Sequence, residues 1–481
     1  MNRSLVWFRH DLRLSDNPAL DAGVAGGPVT LVYVLDDAAS WGGASLWWLH
    51  HSLERLGAAI AERGGALVLR RGDSRSIIPA LAREIGAASV QAGRAHEPYL
   101  RAIDREVAAS LQALGIGFHR HRSALALAPE SVLNQSGAPY GVYTPFSRQC
   151  FERFTPRPPI APPLSLAPAL AVRSDDLADW GLLPRAPDWA GGLRASWTPG
   201  EAGAQAQLAA FGAAQLDHYD LTRNLPGVAG TSMLSPHLHW GEIAIDAVWR
   251  AADALPTSRN EGKQTYLKEL LWREFAAYLL WHHPTMAEAP MRAAFAQVPW
   301  RDAPDELSAW QRGMTGVPII DAGMRQLWQT GWLHNRVRMI VASYLVKHLL
   351  IPWQMGAAWF WDTLVDADHA SNAASWQWVT GSGVDAAPYF RIFNPVLQGL
   401  KFDPDGAFIR RFVPELARLP DAHIHAPWEA PALVLRGASV RLGQNYPHPL
   451  VDLKTGRERA LAAFKILGKT AVWERPLNER A

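Results

Sequence analysis

The sequence predicts a doubly wound parallel α/β domain followed by an all-α domain. Between Ser4 and about His121, short apolar runs alternate with helical patterns, the order that places helices on both faces of a parallel sheet. Beyond Gly200, apolar residues recur at helical spacing almost throughout, with few of the alternations that indicate strands. The chain has 481 residues, 48% of them hydrophobic, which is ample for two principal domains with separate cores.

The first domain is predicted to cover residues 1–125. Its strand candidates are the apolar runs LVWF, VTLVYVL, ALVLRR, SVQAG and IGFHRH. Helical spacing is found between them, for example over Ser45 to Arg63 and Tyr99 to Leu114. No G-x-G-x-x-G follows the first run, so the usual dinucleotide fingerprint is missing and any ligand of this domain binds in another way.

Residues 126–200 are predicted to connect the domains. Nine prolines lie between Gln149 and Gly200, and no sustained period accompanies them, which favours an ordered but irregular segment on the surface. The second domain, residues 201–481, has apolar residues at helical spacing in Lys263 to His282, Gly323 to Leu350 and Ala357 to Thr363. These segments predict an all-α domain.

Composition excludes several classes of protein. The net charge is only +2 and the pI is about 8.7, so any affinity for nucleic acid must come from a local basic patch. Cys150 is the only cysteine, which excludes an intramolecular disulfide, a thiolate zinc site and a four-cysteine iron–sulfur cluster. A charged, strand-like start and the lack of any run of about 18 apolar residues predict a cytoplasmic protein.

The stretch from Asp366 to Phe393, DADHASNAASWQWVTGSGVDAAPYFRIF, combines acids, an amide, tryptophans and an aromatic-arginine pair. If its first part is helical, Asp368, Asn372 and Trp376 fall at i, i+4 and i+8 and line one face. A carboxylate, an amide and an indole on one face suit a polarisable ring with an electron-transfer path behind it.

A second motif follows Tyr219. The loop Gly230 to Pro236, GTSMLSP, clusters hydroxyls and amides before a proline that can start a helix. Exposed N–H groups and the helix dipole both favour phosphate there, although an ordinary helix N-cap has the same pattern.

Two helical segments carry candidate binding residues. In YLKELLWREF, Glu269 and Trp272 lie at i, i+3, so a carboxylate can bind a base edge while an indole stacks on it; a surface amphipathic helix with an ion pair to Arg273 is the alternative. In WLHNRVRMI, Asn335 and Met339 share a face and can line a ligand pocket, or serve as a buried amide and core filler.

Five segments in order carry a resemblance to a known family: TSMLS, KELLWREF, GMTGVPIIDAGMRQLWQTGWLHNRVRM, DADHASNAASWQW and DAAPYFRIFNPVLQGLKFD. They closely resemble the photolyase/cryptochrome family over essentially the full length. Asn335, Arg336 and Met339 resemble the pattern of cyclobutane pyrimidine dimer photolyases, and GGASLWWLHHSL and SNAASWQW are most similar to the bacterial class III branch.

The resemblance implies the photolyase fold, FAD as cofactor and light-driven repair of cyclobutane pyrimidine dimers in DNA, in which reduced flavin donates an electron to the dimer. The alternative is a cryptochrome, a blue-light photoreceptor without repair. A plain flavin oxidoreductase would leave the basic residues and the tryptophan series unexplained. UV-damaged DNA is the implied partner, a monomer is expected, and no metal is implied.

The resemblance also implies which residues bind the flavin. Those matching positions that hold the dinucleotide phosphates are Tyr219, Thr231, Ser232, Met233, Leu234 and Ser235. Those matching the flavin pocket are Arg273, Trp332, Arg338, Asp366 and Asp368. Asn372 matches the residue facing the central-ring nitrogen, and an amide can donate or accept there but cannot readily supply a proton.

Further residues match catalytic and DNA-binding positions. Three indoles, which would otherwise be read as core tryptophans, match an electron relay from the surface to the flavin: Trp376, Trp353 and Trp300. The residues matching the lesion pocket are Glu269, Trp272, Asn335, Met339 and Trp378. The residues matching phosphate-facing positions around it are Arg336, Arg391 and Lys401, and Glu269 is expected to stabilise the dimer radical anion by hydrogen bonding.

Two positions depart from the family pattern. Asn224 stands where an acid commonly follows arginine. Leu100 stands where class I enzymes use a glutamate to bind folate, so a class I folate site is not expected. The resemblance to class III implies a methenyltetrahydrofolate antenna in another pocket of the first domain, with a deazaflavin or no antenna as alternatives.

Overall fold

The computed structural model describes residues 3–168, 170–385 and 391–467. They fold into two compact units, each assembled from separate parts of the chain. The first unit comprises Met1–Asp220, Thr231–Pro284 and Val365–Ala370. The second comprises Leu221–Gly230, Thr285–Leu364 and Ser371–Ala481.

The first unit contains the predicted parallel sheet. Its strands are β1 (Arg3–Phe8), β2 (Val29–Leu35), β3 (Leu67–Arg71), β4 (Ala87–Gly93) and β5 (Gly117–His121). They are parallel in the order β3-β2-β1-β4-β5, and Val6 pairs with Leu31 on one side and Gln91 on the other. The apolar runs therefore correctly predicted all five strands of this sheet.

Helices connect successive strands, as the alternation of patterns predicts. They are α1 (Pro18–Ala25), α2 (Gly43–Ala61), α3 (Ser74–Glu84) and α4 (Pro98–Ala113). The Asn17 side chain accepts hydrogen bonds from the first turn of α1, and the Asp73 side chain does so for α3, which satisfies amide groups that have no partner within the helix. Trp7, Val90 and Ile103 lie in the buried core on one side of the sheet.

The strand order reverses at β1, which lies between β2 and β4. In open parallel sheets a crevice forms at the carboxyl ends of the strands at such a point. The structure has a small cavity there, lined by residues 9–11 after β1 and residues 93–97 after β4. The sheet therefore forms a small crevice at this point without a glycine-rich dinucleotide loop.

The rest of the chain is helical. Before residue 285 the helices are α5 (Tyr143–Arg153), α6 (Gly191–Ser196), α7 (Glu201–Ala214), α8 (Tyr219–Thr222), α9 (Ser235–His239), α10 (Ile245–Ala254) and α11 (Asn260–His282). The later ones are α12 (Pro304–Gln311), α13 (Pro318–Thr330), α14 (Asn335–Ser343), α15 (Trp353–Thr363), α16 (His369–Thr380), α17 (Pro395–Phe402), α18 (Ala407–Phe412), α19 (Asp421–Ile424), α20 (Ala432–Gly437) and α21 (Leu453–Phe464).

The predicted helical stretch from Gly323 to Leu350 is divided in the structure. Helix α13 ends at Gly331, which adopts a left-handed conformation (φ 66°) that glycine accommodates without strain. His334 then caps α14 by accepting from the Arg336 N–H, and a π-helical turn, Tyr344–His348, follows α14. These breaks place residues 332–334 just before α14 and residues 335–339 in its first turns.

Helix α16 begins at His369, one residue after Asp368. Asn372 and Trp376 share a face of this helix, as the spacing predicts. Asp368 precedes the helix, so the expected three-residue helical face is wrong at its first member. In the described ranges, no helix combines the length and apolar character that crossing a membrane requires.

Candidate functional site

The loop before α9 belongs to the first unit and has an unusual backbone. Met233 has a φ of 53°, which costs free energy for a residue with a side chain and is often found at ligand sites. The Gln207 Nε2 donates to the Ser232 carbonyl oxygen at 3.0 Å, and Ser235 and Pro236 open α9. The sequence therefore correctly predicted a turn that leads into a helix.

Tyr219 lies in the same unit as this loop and is buried. Its ring packs edge to face on Phe211 at 5.7 Å and on Tyr266 at 5.3 Å. This aromatic cluster joins α7, α8 and α11. These contacts fix the position of Tyr219, which lies about a dozen residues before the loop.

Arg273, on α11, is fixed by main-chain oxygens. Its Nη1 donates to the Ala124 carbonyl at 2.9 Å and to Glu274 at 3.1 Å, and its Nη2 donates to the Leu238 carbonyl at 3.3 Å. Burial raises the pKa of Glu274 to about 7, and that carboxylate also accepts from the Ala126 N–H at 2.8 Å. The guanidinium is thus held in one orientation by carbonyl groups and an adjacent acid.

Asp366 and Asp368 also belong to the first unit. The Asp368 carboxylate lies 3.7 Å from His239 Nδ1. Asp368, His96 and Glu97 have potential ligand atoms within 4.8 Å of one another. Burial raises the pKa of Glu97 to about 8 and lowers the pKa of His96 to about 4.

These neighbours of Asp368 were not predicted from the sequence. His96 and Glu97 follow β4, whereas His239 ends α9. Their proximity depends on long-range folding rather than spacing. The three ligand types could hold a small cation, but the positive charge of Arg9 acts on Glu97 and opposes it.

In the second unit, Asn335, Arg336 and Met339 lie on α14, where Asn335 is exposed and the other two are half-buried. Arg336 donates from Nη2 and Nε to Asn224 Oδ1, at 2.8 and 3.2 Å. Its Nη1 lies 3.6 Å from Met339 Sδ. Asn224, noted above as a departure from the family pattern, thus orients the arginine with a neutral acceptor and leaves its positive charge uncompensated by that contact.

Phe402, at the end of α17, is flanked by two cations. The Arg336 guanidinium lies over its ring at 4.5 Å and Lys401 Nζ lies 5.2 Å from the ring centre. We call Arg336, Lys401 and Phe402 the cationic shelf. It supplies the local positive charge that the near-neutral whole chain does not, and Arg391, also in this unit, is exposed.

Trp332 precedes the same helix, and Arg338 lies within it. Trp332 is buried, and Arg338 Nε donates to the Leu333 carbonyl at 2.7 Å. Burial, together with the positive charges of Arg336 and Arg338, lowers the pKa of His334 to about 4. His334 is therefore neutral at pH 7 and can accept the N-cap hydrogen bond.

Asn372 is held by one end of its amide. Its Nδ2 donates to the Ala357 carbonyl oxygen of α15 at 3.1 Å. This bond leaves Oδ1 available to accept a hydrogen bond from a ligand. An amide oxygen at this position fits a flavin ring whose central nitrogen carries a proton. The amide has no acidic hydrogen to give to that ring.

Trp376 is buried, one turn after Asn372. Its ring packs against Phe360 at 5.1 Å and Trp310 at 6.3 Å. A Cβ added at Gly356 would lie 2.1 Å from Trp376 Cη2, so the indole lies directly on the backbone of α15. Trp353 is buried one turn before Gly356 on the same helix, which brings Trp353 and Trp376 to the same side of α15.

Trp300 completes the predicted series in the second unit. It is half-buried and packs against Phe464 at 5.9 Å. The Arg301 N–H donates to the Leu350 carbonyl at 2.8 Å, which ties this segment to the chain just before Trp353. Trp376 and Trp353 are therefore buried, whereas Trp300 is partly exposed.

Glu269 and Trp272 lie on α11 in the first unit, and Trp378 lies on α16 in the second. Trp272 is 37% exposed, which is high for an indole in a helical domain. The predicted lesion-pocket residues therefore fall in both units: Glu269 and Trp272 in the first, Asn335, Met339 and Trp378 in the second. Residues 386–390 of the quoted motifs lie outside the described residues.

The predicted flavin-binding residues are likewise divided. The first unit holds Tyr219, Thr231, Ser232, Met233, Leu234, Ser235, Arg273, Asp366 and Asp368, and the second holds Trp332, Arg338 and Asn372. Within each unit these residues come from several separate segments of the chain.

Comparison with known proteins identifies two matching regions of the sequence. Residues 4–164 match the DNA photolyase family, and residues 266–466 match the FAD binding domain of DNA photolyase. The chain is 50% identical to a deoxyribodipyrimidine photo-lyase of Agrobacterium fabrum, over 97% of this chain and 98% of that protein. It is 36% identical to cryptochrome-1 of Arabidopsis thaliana, over 99% of this chain and 72% of that protein.

A solved structure gives the same result. A bacterial class III photolyase from Agrobacterium tumefaciens superimposes with a TM-score of 0.94 at 49% identity, covering 96% of this chain and 97% of that one. The parallel sheet, the helical FAD-binding region and the motifs resemble this family along almost the whole length. The chain is a member of the DNA photolyase/cryptochrome family, with the photolyase fold and an FAD-binding domain.

Proposed function

We propose that this protein is a deoxyribodipyrimidine photo-lyase, which uses light to split cyclobutane pyrimidine dimers in DNA. The observation that carries the proposal is the cationic shelf beside the exposed Asn335. A receptor that only signals has no need of an arginine oriented by Asn224 next to an exposed amide and a half-buried thioether. An enzyme that must bind a DNA backbone and a base edge needs both.

Binding of the lesion begins with its removal from the duplex. Photolyases are among the enzymes that act on a base outside the stack, and a damaged base costs less to extrude than an intact one. The exposed Trp272 and the half-buried Trp378 offer ring faces for the dimer, each contributing about 1–3 kcal/mol per stacked base. Asn335 and Met339 would contact the lesion, and Arg336, Arg391 and Lys401 would bind the flanking phosphates.

FAD, when bound and reduced, supplies the electron that opens the dimer on illumination. Tyr219 and the loop from Thr231 to Ser235 would hold its phosphates. Arg273, Trp332, Arg338, Asp366 and Asp368 would line its ring system. Asn372 would accept a hydrogen bond through Oδ1 and provide no acidic proton, which preserves the anionic state that a donor requires.

Glu269 would bind the dimer directly. A carboxyl group that donates or shares a hydrogen bond with the carbonyl oxygens of the dimer stabilises the negative charge that develops there. This role is electrostatic and needs no net proton transfer. Trp376, Trp353 and Trp300 would supply electrons from the surface when the cofactor has become oxidised.

We also propose an antenna in the first domain, with methenyltetrahydrofolate as the first candidate and a deazaflavin or no antenna as alternatives. The crevice after β1 and β4 lies at the reversal of strand order, where ligands of such sheets bind. We further propose that the protein acts as a monomer in the cytoplasm, with UV-damaged DNA as its partner.

The test is direct. The reduced holoenzyme is incubated with an oligonucleotide that contains one thymine dimer, under blue light and in darkness, and intact thymines are measured by chromatography. We expect restoration only in the light. A protein that binds FAD and is photoreduced, yet leaves the dimer intact, would instead be a photoreceptor of the cryptochrome type.

A further inference from the structure

Trp272 does not stand alone at the surface of α11. Its indole lies face to face on the ring of Tyr143, the first residue of α5, with ring centres 3.7 Å apart and planes inclined by 6°. Both residues belong to the first unit. Tyr143 is buried, at 8% exposure, whereas Trp272 is 37% exposed, so the pair has one covered face and one accessible side.

Tyr143 is itself fixed at two points. Its hydroxyl donates to the Lys268 carbonyl oxygen at 2.5 Å, one helical turn before Trp272. Its ring packs against Phe275 at 5.8 Å with an interplanar angle of 70°. Three positions on one face of α11 therefore determine where the tyrosine ring lies, and the ring in turn determines the plane of the indole.

The contact has an energetic consequence for binding. Ordering a freely rotating side chain at an interface costs about 0.5–1.5 kcal/mol. An indole that is already clamped by a parallel ring has lost that freedom before the ligand arrives. The clamp also blocks one indole face, so an incoming base can stack only on the other.

We propose that Tyr143 is a positioning residue for lesion recognition, holding the Trp272 indole in the orientation on which the extruded pyrimidine dimer stacks. This inference rests on the proposed function and adds to it a residue outside the motifs that carry the family resemblance. Tyr143 acts through Trp272 and need not touch DNA.

The experiment measures dark binding of the holoprotein to a dimer-containing duplex and to the same undamaged duplex. Tyr143→Leu should weaken binding to the dimer about fivefold and leave binding to undamaged DNA unchanged. Tyr143→Phe, which keeps the stacked ring, should recover most of the loss. Phe146→Leu is the matched control, because Phe146 packs on Phe275 at 5.0 Å from the same helix as Tyr143.

A double-mutant cycle with Trp272→Ala separates positioning from general stability. In the Trp272→Ala protein, Tyr143→Leu should cause no further loss of dimer binding. Tyr143→Met, whose flexible side chain adapts to irregular gaps but has no ring to stack, should behave like Tyr143→Leu and provides the test if the leucine variant does not fold.

The outcomes are distinct. Equal losses in the presence and absence of Trp272, or a loss in Phe146→Leu as large as in Tyr143→Leu, would overturn the positioning role. Unchanged dimer binding in the folded Leu or Met variant would overturn it as well. A wild-type protein that binds damaged and undamaged duplexes alike would overturn the proposed function, and the inference with it.

Discussion

The Asn372 side chain donates a hydrogen bond from Nδ2 to the main-chain carbonyl oxygen of Ala357, at 3.1 Å. The bond joins α16 to α15 and determines which end of the amide remains for a ligand. It also determines what an aspartate would experience at this position. An ionised carboxylate would face a carbonyl oxygen, and the repulsion between the two oxygens would favour the protonated acid.

Replacement of Asn372 by aspartate is therefore expected to place a protonated carboxyl beside the flavin. Such a group can transfer a proton to the ring, so illumination of the oxidised variant should stop short of full two-electron reduction. Dimer repair should fall at the same time. Absorption spectra recorded during illumination test this, and full reduction at the wild-type rate and extent would show that residue 372 does not control the proton.

Trp376→Phe should abolish or strongly slow photoreduction of the oxidised protein. Repair by protein reduced chemically with dithionite should be spared, because the tryptophan series is needed only to prepare the donor. The two activities are measured on one preparation, with Trp428→Phe, a replacement outside the proposed series, as the control. Normal photoreduction in Trp376→Phe would assign the electron supply to another route.

Arg336→Ala should weaken binding to dimer-containing DNA and reduce its dependence on salt. Loss of one phosphate contact lowers the slope of log K against log salt by about 0.9 in magnitude. Arg391→Ala should behave in the same way, and Arg436→Ala, at an exposed position of α20, serves as the matched control. Weaker binding with an unchanged slope would mean that the arginine contacts a base or the protein instead.

Glu269→Ala should lower the number of dimers repaired per absorbed photon while flavin content stays at the wild-type level. The reason is that the carboxyl group is expected to contact the lesion rather than the cofactor. Glu269→Gln should retain part of the yield, since an amide can still donate a hydrogen bond. An unchanged quantum yield in Glu269→Ala would remove this residue from the proposed mechanism.

A buried lysine provides a prediction about stability. Lys347 is fully buried, its Nζ donates to the Thr380 carbonyl at 2.7 Å, and it lies 3.9 Å from the Phe464 ring centre. Burial lowers the pKa of Lys347 from 10.5 to about 7. Between these values the unfolded chain binds more protons than the folded one, so this residue makes stability rise with pH, by at most about 1.4 kcal/mol per pH unit.

Lys347→Met should remove that contribution. Between pH 7 and pH 9.5, the free energy of unfolding of the variant should therefore rise less than that of the wild type. Urea unfolding of the wild type and the variant at several pH values in this range measures the difference. Lys454→Met, at an exposed position of α21, is the matched control. Parallel curves for wild type and Lys347→Met would show that Lys347 keeps a near-normal pKa in the folded protein.

Much of the fold was predictable from local patterns. A fully buried parallel strand such as β2 is a continuous apolar run because helices cover both faces of the sheet, and VTLVYVL has that form. Helix ends were less predictable, since the break at Gly331 depends on a left-handed φ that spacing does not reveal. The start of α16 was hard to predict for a similar reason. The i, i+4, i+8 spacing extends back to Asp368, although the helix itself begins only at His369.

Only the parts of the candidate site that lie within a single sequence motif were predictable. Trp376 and Asn372 share a helix, so their spacing placed them on one face. The pairing of Asn224 with Arg336, of Tyr143 with Trp272, and the cluster around Asp368 all join distant segments. Such contacts are fixed by tertiary packing, which a single sequence does not encode in any local pattern.

The close approach of Trp376 to Gly356 has a consequence for electron tunnelling. The rate of transfer between two aromatic rings falls steeply with the gap between them, so the position of each indole matters, and the backbone of α15 limits where Trp376 can lie. A methyl group at position 356 would occupy the space of the Trp376 six-membered ring and force the indole away from α15. A residue with no side chain and no redox chemistry thereby determines where one indole of the proposed route can lie.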